Sequence, residues 1–425
     1  MSKEIIYDIA VIGGGPSGMM AAGKAAELGA SVILIEKNAT LGKKLLITGG
    51  GRCNVTNACF DMKQFLDKFK DDKKFLFSPF SKFSAKDTVE FFNNHGMETK
   101  VEANNRVFPL SNSAQSVFDV MVNYIKNNKV TILNNSSVKG FTIDNGLITA
   151  INLRDKKTIK ARSYILATGG KSRPETGSTG EGFNWLKEIG HTIIEPSAAL
   201  VPLIIKDKWV HTLSGISLEE VKITTYLSNR PQSKNKGKIL FTHFGLSGPM
   251  ILNMSKDVGE LLKYGEVTML LDLAPPLDMG VLDKRLQEVL KVHQNKKIKN
   301  SLSEIVPQAI APIIIKLSGV DPEKPVNILS KDERLTIVRL IKNLPMTVTG
   351  LMGEEKAIIT SGGVDLHEID FKTMQSSKYP NLFIVGDVLN IDRPSGGYSL
   401  QLCWTTGFVA GTSAAEYIHS LPSTE

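Results

Sequence analysis

The sequence predicts an α/β fold with a largely parallel sheet, on three observations. An apolar strand near the N-terminus runs into a glycine-rich turn and then a helix, and a second strand, turn and helix near the C-terminus return the chain to the same domain. Between them the pattern changes to short β-type runs and then to helix-period segments. The expected boundaries are 1–197 and 345–425 for a nucleotide-binding domain, 198–277 for a β-rich insertion and 278–344 for a helical subdomain. A chain of 425 residues exceeds the size at which one core usually keeps growing, so several domains are expected.

The first elements are a strand from Ile5 to Ile12, a helix from Ser17 to about Leu28 and a strand from Ser31 to Glu36, a βαβ unit. Another apolar strand, Tyr164–Thr168, ends in glycines. From about Ala198 to Leu273 come the short runs Leu200–Ile205, Val221–Leu227, Lys238–Phe241 and Val267–Leu271. Helical periodicity follows at Leu282–Val292, Leu302–Leu317 and Lys331–Ile341, interrupted by Pro307, Pro312 and Pro322. Strand signals return at Met346–Thr349, Lys356–Thr360 and Leu382–Val385, and a last helix runs to about Tyr417.

Composition narrows the class. With 42% hydrophobic and 22% charged residues the chain is ordinary and globular. No basic leader or apolar run near the roughly 18 residues of a membrane span is present, so a cytoplasmic protein without membrane association is expected. Cys53, Cys59 and Cys403 are too few for a disulfide framework and lack metal-ligand spacing, so no metal is expected. The net charge of +8 is spread over many lysines, which reads as a solvated surface with no nucleic-acid partner. Oligomeric state stays open.

The chemistry is carried by glycine turns. Gly13-Gly14-Gly15-Pro16-Ser17-Gly18 is a GxGxxG turn between a strand and a helix, and Glu36 closes the next strand about eighteen residues later. Gly13 allows the tight turn, Gly15 the approach of a pyrophosphate, and Gly18 close packing of helix on strand. The helix N-terminus offers N–H groups to phosphates. Glu36 would accept from a ribose hydroxyl and repel a 2′-phosphate, which favours FAD or NAD over NADP. This is a Rossmann-type fingerprint, and by itself it does not separate FAD from NAD.

Two further signals favour FAD. Gly386-Asp387 ends a strand, and Gly396-Gly397-Tyr398-Ser399-Leu400-Gln401 opens the last helix, whose N-terminus would stabilise charge on a reduced flavin. Ala167-Thr168-Gly169-Gly170 brings backbone close to the dinucleotide, and the polar loop Pro174–Gly182 follows as either a site for an anionic substrate or a plain surface turn. Lys37 follows the ribose-binding Glu36. The stretch LGKKLLITGGGRCNVTN joins Lys44 and Arg52 to bare glycine backbone, a combination suited to an anion, and places Gly50, Gly51, Cys53 and Asn54 as further cofactor candidates.

The motifs GGGPSG, LGKKLLITGGGRCNVTN, RPETGSTGEG, ILFTHFGLSGP and GGYSLQ, in that order over nearly the whole chain, resemble the BaiN-like flavoproteins, also called the aminoacetone oxidase family. The resemblance implies an FAD domain assembled from both chain ends, an inserted β-barrel-like domain and a helical subdomain. It also places Ser17, Glu36, Lys44, Gly50, Arg52, Asn54, Asp387, Gly397 and Leu400 at or beside FAD, with Val138 offering backbone to the adenine. Many family members have Glu at the position of Asp387 and Asn at that of Ser399.

Candidates for catalysis are His243, as an acid or base in FTHFGLSGP, and Tyr398, at the start of the last helix. The expected activity is FAD-dependent redox chemistry on a small molecule by hydride transfer through flavin N5. With an amine donor and O2 it is an oxidase. With NAD(P)H as a transient donor it is a reductase of an activated double bond. A non-catalytic flavin sensor and an FAD-dependent tRNA-modifying enzyme are the other readings. Cys53 and Cys59, with five residues between them, depart from the four-residue spacing of flavin disulfide reductases.

Overall fold

A computed structural model describes residues 6–293, 296–353 and 355–421. Residues 1–5, 294, 295, 354 and 422–425 lie outside the described residues, and with them the expected strand start at Ile5 and the last residues of the 345–425 segment. The chain divides into two compact units, Met1–Ala198 with Ala357–Glu425, and Ala199–Lys356.

The first unit is built on a parallel sheet of five strands in the order Thr131–Leu133, Val32–Ile35, Ile6–Ile12, Thr158–Leu166, Leu382–Ile384. Val138–Asp144 and Leu147–Leu153 extend it as an antiparallel meander on Thr158–Leu166. Val32–Ile35 is buried throughout, as expected of a strand covered on both faces. The helices Pro16–Glu27 and Tyr398–Ser420 pack on the sheet and on each other. Their approach is close because Gly407 and Gly411, one turn apart, face the backbone of Ser17 and Ala21. The C-terminal segment therefore supplies both a sheet strand and a core helix to the N-terminal unit.

The second unit contains a closed barrel of six strands, in the order Leu203–Ile205, Gly245–Ser247, Arg230–Thr242, Ser217–Leu227, Val267–Asp272, Leu344–Leu351. Inward-pointing Ile223, Phe241, Met269, Leu271 and Met346 fill it. The helices Pro249–Leu262, Met279–Val292, Ala311–Ser318 and Lys331–Lys342 share that same core.

Several sequence expectations are adjusted. The strand Leu344–Leu351 closes the barrel between Leu203–Ile205 and Val267–Asp272, so the N-terminal part of 345–425 sits with the insertion. The barrel and the 278–344 helices form one compact unit because they bury apolar side chains in one core. Leu302–Leu317 is not one helix: a short 3₁₀ turn and Pro307 precede Ala311–Ser318, which carries Pro312 in its first turn, where a missing N–H costs no helix bond. The strand expected at Lys238–Phe241 begins at Arg230, and the one expected at Lys356–Thr360 is Ile359–Val364. Lys331–Lys342 follows its periodicity closely and starts on a reciprocal capping box between Ser330 and Glu333.

Candidate cofactor site

A long cleft with about 1180 Å³ of free space, its open mouth included, runs through the first unit. The turn after the first strand forms its floor. Gly13 sits at φ +105°, where a Cβ would stand 2.5 Å from the Ala167 carbonyl oxygen, and a Cβ on Gly18 would overlap the Gly13 carbonyl. These two glycines are fixed by close backbone approach. Gly15 differs, because a Cβ there would meet nothing within 4 Å. Its backbone faces open cleft at the start of the helix Pro16–Glu27, which no side chain caps, so first-turn N–H groups remain for a ligand.

At one end of the cleft Glu36 is almost fully buried. Its Oε2 accepts from Gly14 N at 2.8 Å, and its Oε1 accepts from Asn38 N at 2.8 Å and Asn38 Nδ2 at 2.7 Å. With two bonds accepted Oε1 is filled, whereas Oε2, with one, keeps an acceptor site. Lys37 turns aside to donate to Thr179 Oγ1 and Glu181 Oε2, both at 2.7 Å, and Asn38 Nδ2 donates to Thr176 O at 3.1 Å. These bonds fasten the polar loop Pro174–Gly182 over the Glu36 end, and Thr176–Glu181 line the cleft with Val138 and Trp185.

Toward the other end a charged cluster holds Asp387. Arg393, whose side chain is fully buried, donates to Asp387 Oδ1, to Ile391 O at 2.6 Å and to Ser399 Oγ at 3.3 Å. Lys44 Nζ donates to Asp387 Oδ2 at 3.4 Å and to Ser172 Oγ at 2.6 Å. Burial opposes the Asp387 charge, but Arg393 and Lys44 outweigh it and hold the carboxyl below its usual range. The same burial, with Asp387 nearby, pushes the Cys403 thiol up to about 12, so Cys403 lines the cleft as a neutral apolar group. Ser399 and Leu400 complete this wall at the uncapped N-terminus of Tyr398–Ser420.

Not every candidate converges here. Gly13, Gly15, Pro16, Ser17, Glu36, Lys37, Lys44, Val138, Ala167, Thr168, Gly169, Asp387, Ser399 and Leu400 line the cleft. Gly18, Gly386 and Gly397 support it from behind: a Cβ on Gly386 would meet Ser17 Oγ at 2.6 Å, and one on Gly397 the Thr56 carbonyl at 2.3 Å. Gly50, Gly51, Arg52, Cys53 and Asn54 are absent from the described lining. Arg52 is held by Glu102 and Asn112 above the Phe108 ring, so its cation is already neutralised. Cys53 is buried at φ +57° with its thiol pushed up to about 12, and Asn54 Oδ1 is buried without a partner. Tyr398 is also absent from the lining. Its ring packs 4.8 Å from Phe65 and 6.0 Å from Phe69, and burial raises its hydroxyl pKa. His243 belongs to the second unit.

Sequence reading missed Arg393 and Asn38. The signal for Arg393 was present in Asp392-Arg393-Pro394, a cation placed just before the glycine turn, but its burial depends on the fold.

The residues present fit FAD. The open face of Gly15, the uncapped helix, the buried acceptor Glu36 and the unpartnered Thr168 Oγ1 on the cleft wall all await polar partners of a dinucleotide. Among the described residues no group of His, Cys, Asp and Glu is arranged to hold a metal. No helix there is long and apolar enough to cross a membrane.

Comparison with known proteins gives the same frame. A family model described as HI0933-like protein Rossmann domain matches residues 7–413. The 3-dehydro-bile acid delta(4,6)-reductase of Clostridium scindens is 29% identical over 412 residues, 96% of this chain and 99% of that protein. The ribosomal RNA dihydrouridine synthase of Escherichia coli is 27% identical over 412 residues, 95% of this chain and 96% of that protein. Among solved structures, 3-ketosteroid delta1-dehydrogenase from Sterolibacterium denitrificans shares the fold with TM-score 0.56 at 14% identity, covering 97% of this chain and 100% of that one.

Proposed function

The chain belongs to the HI0933-like family of FAD-binding Rossmann oxidoreductases, and from that premise we propose that it reduces a ring C=C bond conjugated to a carbonyl. One observation carries the reading: two relatives of nearly full coverage have names that share this step. The names 3-dehydro-bile acid delta(4,6)-reductase and ribosomal RNA dihydrouridine synthase each imply hydrogen added to a ring double bond. Their substrates differ, so the common chemistry is the supported class.

When bound, FAD supplies hydride at flavin N5. The protein residues bind and orient it. Gly15 and the first turn of Pro16–Glu27 present N–H groups to the pyrophosphate, and Glu36, held by Gly14 and Asn38, accepts from a ribose hydroxyl. Asp387, kept ionised by Arg393 and Lys44, accepts from hydroxyls of the ribityl chain. The uncapped N-terminal end of Tyr398–Ser420 would favour negative charge placed beside it. Hydride transfer needs positioning alone; the proton that completes the reduction is supplied by solvent water, and no cleft side chain is assigned to relay it.

The test is anaerobic stopped-flow absorbance of the flavin band with NADH, NADPH and a panel of amines. Rapid bleaching by a pyridine nucleotide, followed by recolouring with a cyclic enone or with uridine in RNA, is the expected result. Bleaching by an amine alone, with peroxide released on admission of air, would overturn this reading in favour of the oxidase.

A further inference from the structure

The lysines that look scattered in sequence are partly gathered by the barrel. Ser217–Leu227 and Arg230–Thr242 pair as a long antiparallel ribbon, closed by Ser228 and Asn229, both at positive φ as a tight hairpin turn requires. From Lys238 toward this tip the second strand leaves the barrel ladder on its outer edge: its pairing with Gly245–Ser247 is confined to Leu240–Thr242. Arg230, Gln232, Lys234, Lys236 and Lys238 are exposed at alternate positions. Residues two apart on a strand lie about 6.7 Å apart, close to the separation of successive phosphates on a nucleic-acid strand.

The charges on this ribbon are poorly compensated. The stretch 230–238 contains four cations and no acidic residue. Lys238 pairs with Glu219 at 2.5 Å, whereas Arg230, Lys234 and Lys236 have no ion-pair partner among the described residues. Lys236 stands directly opposite Lys222 in the register, a like-charge pair that costs stability unless an anion lies over it. Lys222 itself reaches Asp272 only at 3.8 Å. Lysine on an open strand edge also discourages edge pairing, but that purpose does not require Lys222 and Lys236 to face each other across the ribbon. Here only cations are used, interleaved with Gln232, Ser233 and Asn235, and half-buried Tyr226 lies across from Pro231 near the tip. No exposed large apolar side chain falls within 217–242, which disfavours insertion into a lipid surface.

We propose that the ribbon Ser217–Thr242 binds the phosphate backbone of a structured RNA, through Arg230, Lys234 and Lys236. The proposal rests on the reading above, with a uracil ring in that RNA as the reducible acceptor. Backbone contacts of this kind carry affinity and register without reading sequence.

The test uses the full-length, FAD-loaded protein and a fluorescein-labelled RNA hairpin, with anisotropy followed across a salt series. Wild type should bind with affinity that falls steeply as salt rises. Arg230→Gln/Lys234→Gln/Lys236→Gln should bind at least tenfold more weakly, with its log–log salt slope reduced by about 2–3, because three phosphates are no longer neutralised. An unchanged flavin spectrum and melting temperature would establish that the variant is folded, as expected for exposed positions. Equal affinity and slope for variant and wild type would overturn the proposal. So would wild-type binding to phosphatidylglycerol vesicles but not to RNA. Absence of RNA binding in a protein that still reduces a free enone would sink the ribbon alone. RNA binding in a protein that transfers hydride to no activated double bond would sink the reductase reading and the acceptor assignment, while the ribbon contact stood.

Discussion

Gly407 on the C-terminal helix lies so close to Ser17 on the first helix that a Cβ would stand 2.5 Å from the Ser17 carbonyl oxygen. Ser17 is also the residue that a Cβ on Gly386 would strike. Two C-terminal segments, far apart from the N-terminus in sequence, thus converge on the first turn of the helix Pro16–Glu27.

Gly407→Ala should therefore destabilise the first unit. Overpacking against fixed backbone costs about 1–3 kcal/mol, and the gain of about 1 kcal/mol in helix propensity on replacing Gly by Ala offsets only part of it. A lower midpoint in urea unfolding, together with faster loss of flavin on gel filtration, is the expected pair of results. A midpoint equal to that of wild type would mean that separating the two helices costs no more than the helix propensity gained.

Glu36→Ala removes the acceptor that holds Gly14 N and Asn38 and that the proposed function assigns to the ribose. The FAD dissociation constant, measured by flavin fluorescence, should rise about tenfold or more, equivalent to about 1.4 kcal/mol. Full flavin occupancy in the purified variant would refute the ribose assignment.

Arg393→Met leaves the Asp387 carboxylate buried with Lys44 as its remaining cation. Breaking a buried pair on one side typically costs about 3–5 kcal/mol. Arg393→Met/Asp387→Leu, which removes both charges, should recover much of that loss in chemical unfolding while still binding FAD poorly. Recovery of both stability and FAD affinity would mean that the pair serves packing only.

The pair His191 and Glu368 contributes to the loss of stability in acid. Burial lowers the His191 pKa despite the neighbouring carboxylate, while Ser376 and Glu368 occupy its two ring nitrogens. Its contribution is present above the ordinary value of 6.5 and is lost as pH falls below it, because the unfolded chain then binds the proton more readily. Burial works against the Glu368 charge as well, but Lys378, Thr192 and His191 hold the carboxyl down at about 2. Its stabilisation is present above 4.5 and disappears as pH falls toward 2. Melting temperature against pH should thus fall in two steps, and His191→Gln should flatten the upper one. An unaltered profile in that variant would place the upper step elsewhere.

The sequence by itself determined the elements whose cause is local. Gly13, Gly15 and Gly18 reveal the dinucleotide turn because backbone sterics and phosphate approach admit little else there, and Ser330 and Glu333 start their helix through adjacent chemistry. The apolar runs Ile9–Ile12 and Val32–Ile35 announce buried parallel strands through composition alone. Tertiary structure decided what depends on partners distant in sequence. Arg52 faces Glu102 instead of the cleft, Tyr398 turns into a cluster with Phe65 and Phe69, and Arg393 is buried against Asp387. The polar stretch Arg230–Lys236 carries no apolar alternation to mark a strand, and it is one because Ser217–Leu227 supplies its hydrogen bonds. Leu344–Leu351 joins the barrel for the same reason: strand pairing is set by the edge available after folding, and that edge is not written in the strand's own residues.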